Sequence, residues 1–211
     1  MKNIAIILRD GKLSWSPTKI AVGLNDYLNS RGYSSELYFS IGEKSISGFV
    51  FGNKVDLAIH KLLFRITGKD GCYSRLATRK LLREFDRKNV DTIYVTMLHS
   101  FFINETMLFD YIKKRGIHVV DIMLDEYAYS GKCHFNFGCK QVEHECVDCP
   151  HLGKHPVCLM KSGPHKVFLR KKRNYEGTDM VFVGPVQHRV YQVFAHHGPL
   201  RGGVIAAEGA V

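Results

Sequence analysis

Four cysteines close together in the chain, Cys133, Cys139, Cys146 and Cys149, are the residues whose type and spacing point most directly to chemistry. They follow the pattern Cys-x5-Cys-x6-Cys-x2-Cys, with Pro150 next. Thiolates grouped in this way can close a tetrahedral Zn(II) site, and Cys-x2-Cys is a common half of one. A loop with little core of its own would draw folding energy from the ion. Four thiolates leave no open position, so a zinc held there is structural. The unequal spacing departs from a paired Cys-x2-Cys ribbon, and free or bridged thiols or an iron–sulfur cluster stay open as alternatives. His134, His144 and His151 could replace a thiolate, while Cys72 and Cys158 lie outside the pattern and read as small apolar residues.

A second group carries a different chemistry. His99-Ser100-Phe101-Phe102-Ile103-Asn104 places a histidine, two aromatics and an asparagine in one short segment. Aromatics beside a polar group can pack on a sugar ring; the alternative is that Phe101 and Phe102 are core and Asn104 only caps a helix. In Asp125-Glu126-Tyr127 the carboxylate could orient a hydroxyl or take its proton; the alternative is ordinary loop polarity. Lys166-Val167-Phe168-Leu169-Arg170-Lys171-Lys172-Arg173 interleaves cations with apolar residues. It could meet a phosphate-bearing acceptor, the acidic inner face of a membrane or nucleic acid, and the plainer reading is a helix with a solvated cationic face.

Alternating strands and helices must position these groups. Asn3–Leu8 is an apolar run without polar alternation, as in a strand covered on both faces. Ser16-Pro17 announces a helix with Ile20, Leu24, Tyr27 and Leu28 on its inner face, and Gly32 stops it. Glu36–Phe39 reads as a strand, and Ile41–Lys54 as an outward loop. Leu57–Ile66 reads as a short helix broken at Gly68. Ser74 caps a helix with Ala77, Leu81, Leu82 and Phe85 inward. Thr92–Leu98 is a strand; Asn104 caps a helix with Met107, Leu108, Tyr111 and Ile112 inward, ending at Gly116. Ile117–Leu124 and Met180–Val183 are strands. The fold class is α/β, a doubly wound and mostly parallel Rossmann-like sheet, with a cysteine-rich insert over 127–158. In such sheets ligands sit beyond the carboxyl ends of the strands, which puts Arg9–Pro17, His99–Asn104, Asp125–Tyr127 and Gly184–His188 along one rim.

Bulk properties bound the partners. The chain has 211 residues, 30 Lys+Arg against 20 Asp+Glu and a formal charge of +10, which favours an anionic partner. The apolar run Ile4–Leu8 is too short for an export signal or a membrane span. Cytoplasm is the expected compartment, where the six cysteines would be reduced. The principal domain is expected over 1–195, with 196–211 as a tail that begins a further domain.

Together these segments resemble a family. Leu98-His99-Ser100-Phe101-Phe102-Ile103-Asn104 is similar to the His-Gly-Tyr-Tyr-Ile-Asn signature of bacterial surface-polysaccharide glycosyltransferases, the retaining type with two Rossmann domains (GT-B, glycosyltransferase family 4-like). Leu124-Asp125-Glu126-Tyr127-Ala128-Tyr129-Ser130-Gly131-Lys132-Cys133 is similar to that family's His-Asp-Cys-Trp-Ala-Phe-Thr-Gly-x-Cys stretch. Cys146-Val147-Asp148-Cys149-Pro150 resembles its Cys-x-x-Cys-Pro, and Lys171-Lys172 its basic helix. Ile66–Gly71 with Ser74 and Ala77-Thr78 fits an upstream pattern. The resemblance implies sugar transfer from a nucleotide-sugar donor to a polysaccharide or lipid-linked oligosaccharide acceptor in capsule, lipopolysaccharide or exopolysaccharide synthesis. His99, Phe101, Asn104, Asp125 and Tyr127 would then face the acceptor, with Asp125 and His99 as catalytic candidates. A second domain, in this or another polypeptide, would bind the donor, and this lobe alone would not turn over. Nucleic acid is not the expected partner. Leu124 stands where the family has a histidine, Glu126 and Tyr127 replace its cysteine and tryptophan, Ser14–Thr18 replaces a glycine-rich loop, and Val186 and Gln187 replace a serine and a lysine. These departures suit a second reading, a zinc-stabilised binding or regulatory module that kept the fold without the reaction.

Overall fold

The computed structural model describes residues 2–43, 45–135, 138–184 and 204–206. Seven strands form one all-parallel sheet: β1 (Asn3–Asp10), β2 (Ser34–Ile41), β3 (Phe49–Val50), β4 (Thr92–Val95), β5 (His118–Ile122), β6 (Met180–Gly184) and β7 (Val204–Ala206). Their spatial order is β3-β2-β1-β4-β5-β6-β7. Sequence order therefore reverses between β1 and β4, the switch point at which a doubly wound sheet opens a crevice.

β1 shows why the apolar run lacks alternation. Ile4, Ile6 and Leu8 enter a core with Ala21 and Leu28 of helix α1 (Ser16–Ser30). Ala5 and Ile7 face the opposite way, into the larger core that holds residues of α3 (Arg75–Lys88), α4 (Glu105–Arg115) and α5 (Gly163–Tyr175). Both faces are dry, as a parallel sheet requires. Helix α2 (Lys54–Thr67) lies between β3 and α3 in the chain, capped by Asn53 and ended at left-handed Gly68.

Several expectations need adjustment. Trp15, not Ser16, is the cap residue of α1, and no side chain bonds the helix start; Pro17 holds the first turn. Thr18, Ala21 and Leu28 form the buried face of α1, whereas Ile20 and Tyr27 are exposed, because the helix is rolled toward its smaller residues. The segment read as an outward loop contains β3, which pairs with Tyr38 and Phe39. Asn104 caps α4 as expected, but Glu105 and Phe109 share its buried face with Leu108 and Ile112.

The largest departure is α5. Its central cations do not form a solvated stripe: Arg170 and Lys171 are 5% and 2% exposed. Arg170 Nη2 contacts Glu105 Oε2 at 2.8 Å, and its Nη1 donates to the Asp70 carbonyl and to Cys72 Sγ. The Tyr127 hydroxyl donates to Glu105 Oε1 at 2.8 Å. Lys171 Nζ donates to the carbonyls of Tyr127 and Ser130 and sits 3.0 Å from the centroid of the Tyr127 ring. Tyr175 adds a bond to the Ala128 carbonyl. One helix thus ties the α2–α3 loop, the start of α4 and the start of the insert into a single unit. At the other end of α5, Gly163 meets Gly68 so closely that a Cβ on Gly163 would lie 2.6 Å from Gly68 Cα.

Removing one partner of a fully desolvated pair leaves the other charge buried and uncompensated, at a cost of about 3–5 kcal/mol. Arg170→Met and Glu105→Gln should each lose stability on that scale in urea denaturation. The double variant should lose clearly less than the sum, which a double-mutant cycle will read directly.

Candidate functional site

Because all strands run the same way, the carboxyl ends of β1, β4 and β5 lie side by side. The chain leaving β4 turns sharply at Ser100 and Phe101, which have φ values of 88° and 67°. Left-handed backbone at two successive non-glycine residues costs on the order of 1–3 kcal/mol each and persists only where surroundings enforce it. What this turn achieves is the placement of His99. Its Nε2 lies 2.6 Å from Asp125 Oδ2, delivered by the chain leaving β5. Its Nδ1 is 2.6 Å from Ser100 Oγ. Asp125 Oδ1 accepts the Tyr127 N–H at 2.9 Å, and the carboxylate stays 12% exposed.

His134, from the insert, completes the group. Its ring lies against that of His99 with centroids 3.8 Å apart, and His155 packs edge-on beyond it. The Glu126 N–H donates to the His134 carbonyl at 2.8 Å, which fixes the insert to the Asp125 loop. Burial alone would raise Asp125, but the His99 contact holds its carboxyl below the usual carboxylate range. Burial, then the His99 imidazole, pulls His134 down to about 4. Asp121, within β5 itself, is pushed up to about 7 by burial and then by the Asp125 charge. Burial pulls Lys171 down to about 7 against the attraction of Glu105.

Beside this cluster a small hollow, with space for about one water molecule, lies at the β1/β4 switch point, lined among others by Arg9, Asp10, Trp15, Thr96, His99 and Ser100. Arg9 lies over the Trp15 ring at 3.8 Å and pairs with Asp10 at 2.5 Å. Thr96 Oγ1 is buried there without a hydrogen-bond partner among the described residues.

The sequence-selected residues divide into two sets. His99, Asp125 and Tyr127 come together: the His99 and Tyr127 rings are 5.3 Å apart, although Tyr127 is buried and its hydroxyl is given to Glu105. Phe101 turns away to pack on Phe64 and His60, and is 8% exposed. Asn104 accepts from Met107 N and donates to the Cys72 carbonyl, so its side chain serves the backbone. Of the rim segments, 185–188 lies outside the described residues, as do Val186, Gln187 and all of the tail 196–211 except β7. The sequence offers His134 only as a replacement for a thiolate ligand, and no spacing in the chain pairs it with His99. Asp121 sits inside an apolar strand, and that is the signal available for it.

Cys133, Cys139, Cys146 and Cys149 line one small cavity together with Lys132, Gln141 and His151. Gly131 N donates to Cys146 Sγ at 3.3 Å, and the Cys133 thiol bonds the Cys149 sulfur, which lowers Cys149 to about 6. No three of the thiols lie within 4.8 Å of one another, a closeness reached among the described residues by His99, Asp125 and His134. His144 is exposed, away from that cavity lining. The outer cations of α5, Lys166, Lys172 and Arg173, line a separate groove with Lys69. No helix among the described residues is long and apolar enough to cross a membrane.

Comparison with known proteins gives one distant relationship. The chain is 24% identical over 121 residues to the "Putative colanic acid biosynthesis glycosyl transferase WcaC" of Escherichia coli (strain K12), a match covering 54% of this chain and 30% of that protein. The chain is thus related to a glycosyl transferase, and it matches less than a third of that relative's length. No protein-family profile and no solved structure matches it.

An acid that keeps its proton in the fold but loses it when unfolded makes stability fall as pH rises between the two pKa values. For Asp121 that window runs from about 4, its unfolded value, to about 7. Urea midpoints at pH 4.5, 6 and 7.5 should therefore decline less in Asp121→Asn than in the parent protein; parallel profiles would remove the buried acid from the account.

Proposed function

We propose that this lobe holds the acceptor in sugar transfer from a nucleotide-sugar to a polysaccharide or lipid-linked oligosaccharide, in bacterial surface-polysaccharide synthesis. The observation that carries the reading is the meeting of His99 and Asp125 at adjacent strand tips, next to the sheet's switch point. The relationship to a glycosyl transferase supports the same reading. Asp125, ionised and partly exposed, accepts a hydrogen bond from an acceptor hydroxyl and takes up its proton as the glycosidic bond forms. His99 is a positioning residue: it is 3% exposed and holds the Asp125 carboxylate, while the unpartnered Thr96 hydroxyl and the Arg9–Trp15 stack offer further sugar contacts. The donor nucleotide belongs to a second Rossmann-like lobe of the GT-B type, in this or another polypeptide, and the present lobe alone is inactive. The groove cations Lys69, Lys166, Lys172 and Arg173 suit a phosphate-bearing acceptor or a peripheral contact with the inner face of the cytoplasmic membrane. Nucleic acid is not proposed, since the central cations of α5 are turned inward.

In this reading Cys133, Cys139, Cys146 and Cys149 clasp the insert around a structural zinc ion. They share a cavity and have an N–H···S bond already in place at Cys146. The ion would supply no reactive position, only closure of the loop that presents His134. The alternative, a zinc-stabilised binding or regulatory module without catalysis, is favoured by one residue: Leu124 stands where the resembled family has a histidine, and its side chain cannot hydrogen-bond a sugar.

Hydrogen bonds to a charged group contribute about 1.5–3 kcal/mol, so Asp125→Asn should weaken oligosaccharide binding by roughly tenfold to a hundredfold. Colanic acid fragments are the first probe, read by calorimetric titration, with thermal melting as a control. Binding unchanged in Asp125→Asn would end the acceptor reading. Separately, the Co(II)-loaded protein should show a thiolate charge-transfer band that Cys149→Ser abolishes; its absence from the parent protein would exclude a thiolate-held metal.

A further inference from the structure

Two imidazoles and a carboxylate converge where the insert meets the strand tips. His99, Asp125 and His134 each present one donor atom, and the three atoms lie within 4.8 Å of one another. This donor set suits first-row transition ions, whereas magnesium and calcium prefer shells made of oxygen.

His99 Nε2 is fully buried and faces Asp125 Oδ2 at 2.6 Å, so the two atoms share the imidazole proton that a bound metal ion would displace. The other atoms of the cluster are already oriented. Ser100 Oγ engages His99 Nδ1, which directs Nε2 at Asp125. The Tyr127 N–H engages Asp125 Oδ1, which leaves Oδ2. The Glu126 N–H fixes the His134 carbonyl, joining the loops that carry the two remaining donors. Outer-shell bonds of this kind set the tautomer and direction of metal ligands. His134 is half-buried, its ring stacked against that of His99, with a ring nitrogen already within 4.8 Å of the other two donors.

The geometry points to a divalent first-row transition ion held by His99 Nε2, Asp125 Oδ2 and a ring nitrogen of His134. Three protein ligands leave open positions for oxygen donors, unlike the closed thiolate site proposed for the insert. The assignment rests on ligand geometry alone and does not depend on the sugar-transfer reading.

The test uses the full chain, stripped with chelator and titrated with Co(II) while the visible and near-ultraviolet spectra are recorded. Imidazole and carboxylate ligands give weak visible bands without the intense near-ultraviolet thiolate band, so this equivalent is separable from metal bound by cysteine. The parent protein should bind one more Co(II) than His134→Gln, or bind that equivalent at least tenfold more tightly, and the difference spectrum should lack thiolate character. Equal stoichiometry and affinity in the two proteins, or a difference spectrum that is purely thiolate, would overturn the proposal. Circular dichroism establishes that the variant is folded. If it is not, the parent protein decides: bound Co(II) must produce hyperfine-shifted imidazole proton resonances from two histidines, and their absence at saturation counts against the site. None of these readouts involves a sugar, so failure here and failure of the acceptor reading are distinguishable.

Discussion

A desolvated ion pair organises the half of this molecule that carries its chemistry. Glu105 is fully buried in the first turn of α4, where the helix dipole already favours negative charge, and Arg170 reaches it from α5. Around the pair further groups are bonded: the Tyr127 hydroxyl, the Asp70 carbonyl and, one residue along, the Lys171 side chain on the carbonyls of the Tyr127–Ser130 turn, while Arg170 Nε stays buried without a partner among the described residues. An apolar substitute of equal volume could match its contribution to stability. What such a substitute would lack is direction. The pair fixes where the insert begins, and therefore where Asp125 and His134 stand relative to the sheet.

The site itself combines restraint from the sheet with restraint from the insert. β4 and β5 are in parallel register, so His99 and Asp125 are carried to the same edge whatever the loops do. The loops then determine the last few ångströms, through left-handed backbone at Ser100 and Phe101 and the Asx-type bond from Tyr127 to Asp125. His134 arrives from a segment with little regular structure, held to the strand tips by one backbone bond and by stacking. Leu124 lacks the nitrogen that the resembled family places next to its aspartate; here an imidazole from the insert reaches that aspartate's neighbourhood instead.

Much of this was legible in the chain, and the divisions have physical causes. Continuous apolar runs identified the central strands because a parallel sheet is dry on both faces, and Asn104, Gly68 and Gly116 marked helix ends because their side chains or φ values serve only there. His99 and Asp125 were legible as strand-tip residues. Phe101, Asn104, Arg170 and Lys171 were not legible in their actual roles, because residue type cannot say which way a loop aromatic or a helical cation turns. The cations of α5 looked solvated for a simple reason: their counter-charge, Glu105, is far away in sequence. His134 eluded the reading for the same reason, and β3 because two residues are too few to show a period.

The contact between Gly68 and Gly163 has a bearing on descent. Neither backbone leaves space for even a methyl group, since a Cβ on Gly68 would fall 2.6 Å from Cys158 Sγ and 2.7 Å from Gly163 Cα. The two positions therefore answer to packing, and Gly68 also to its left-handed backbone, whereas His99 and Asp125 answer to chemistry only in the reading proposed for them. When diverged chains that share this lobe are set side by side, glycine at both seam positions marks inheritance of the architecture. Loss of the histidine or aspartate on that unchanged background would, in the reading proposed for them, mark a lineage in which the scaffold outlived its reaction.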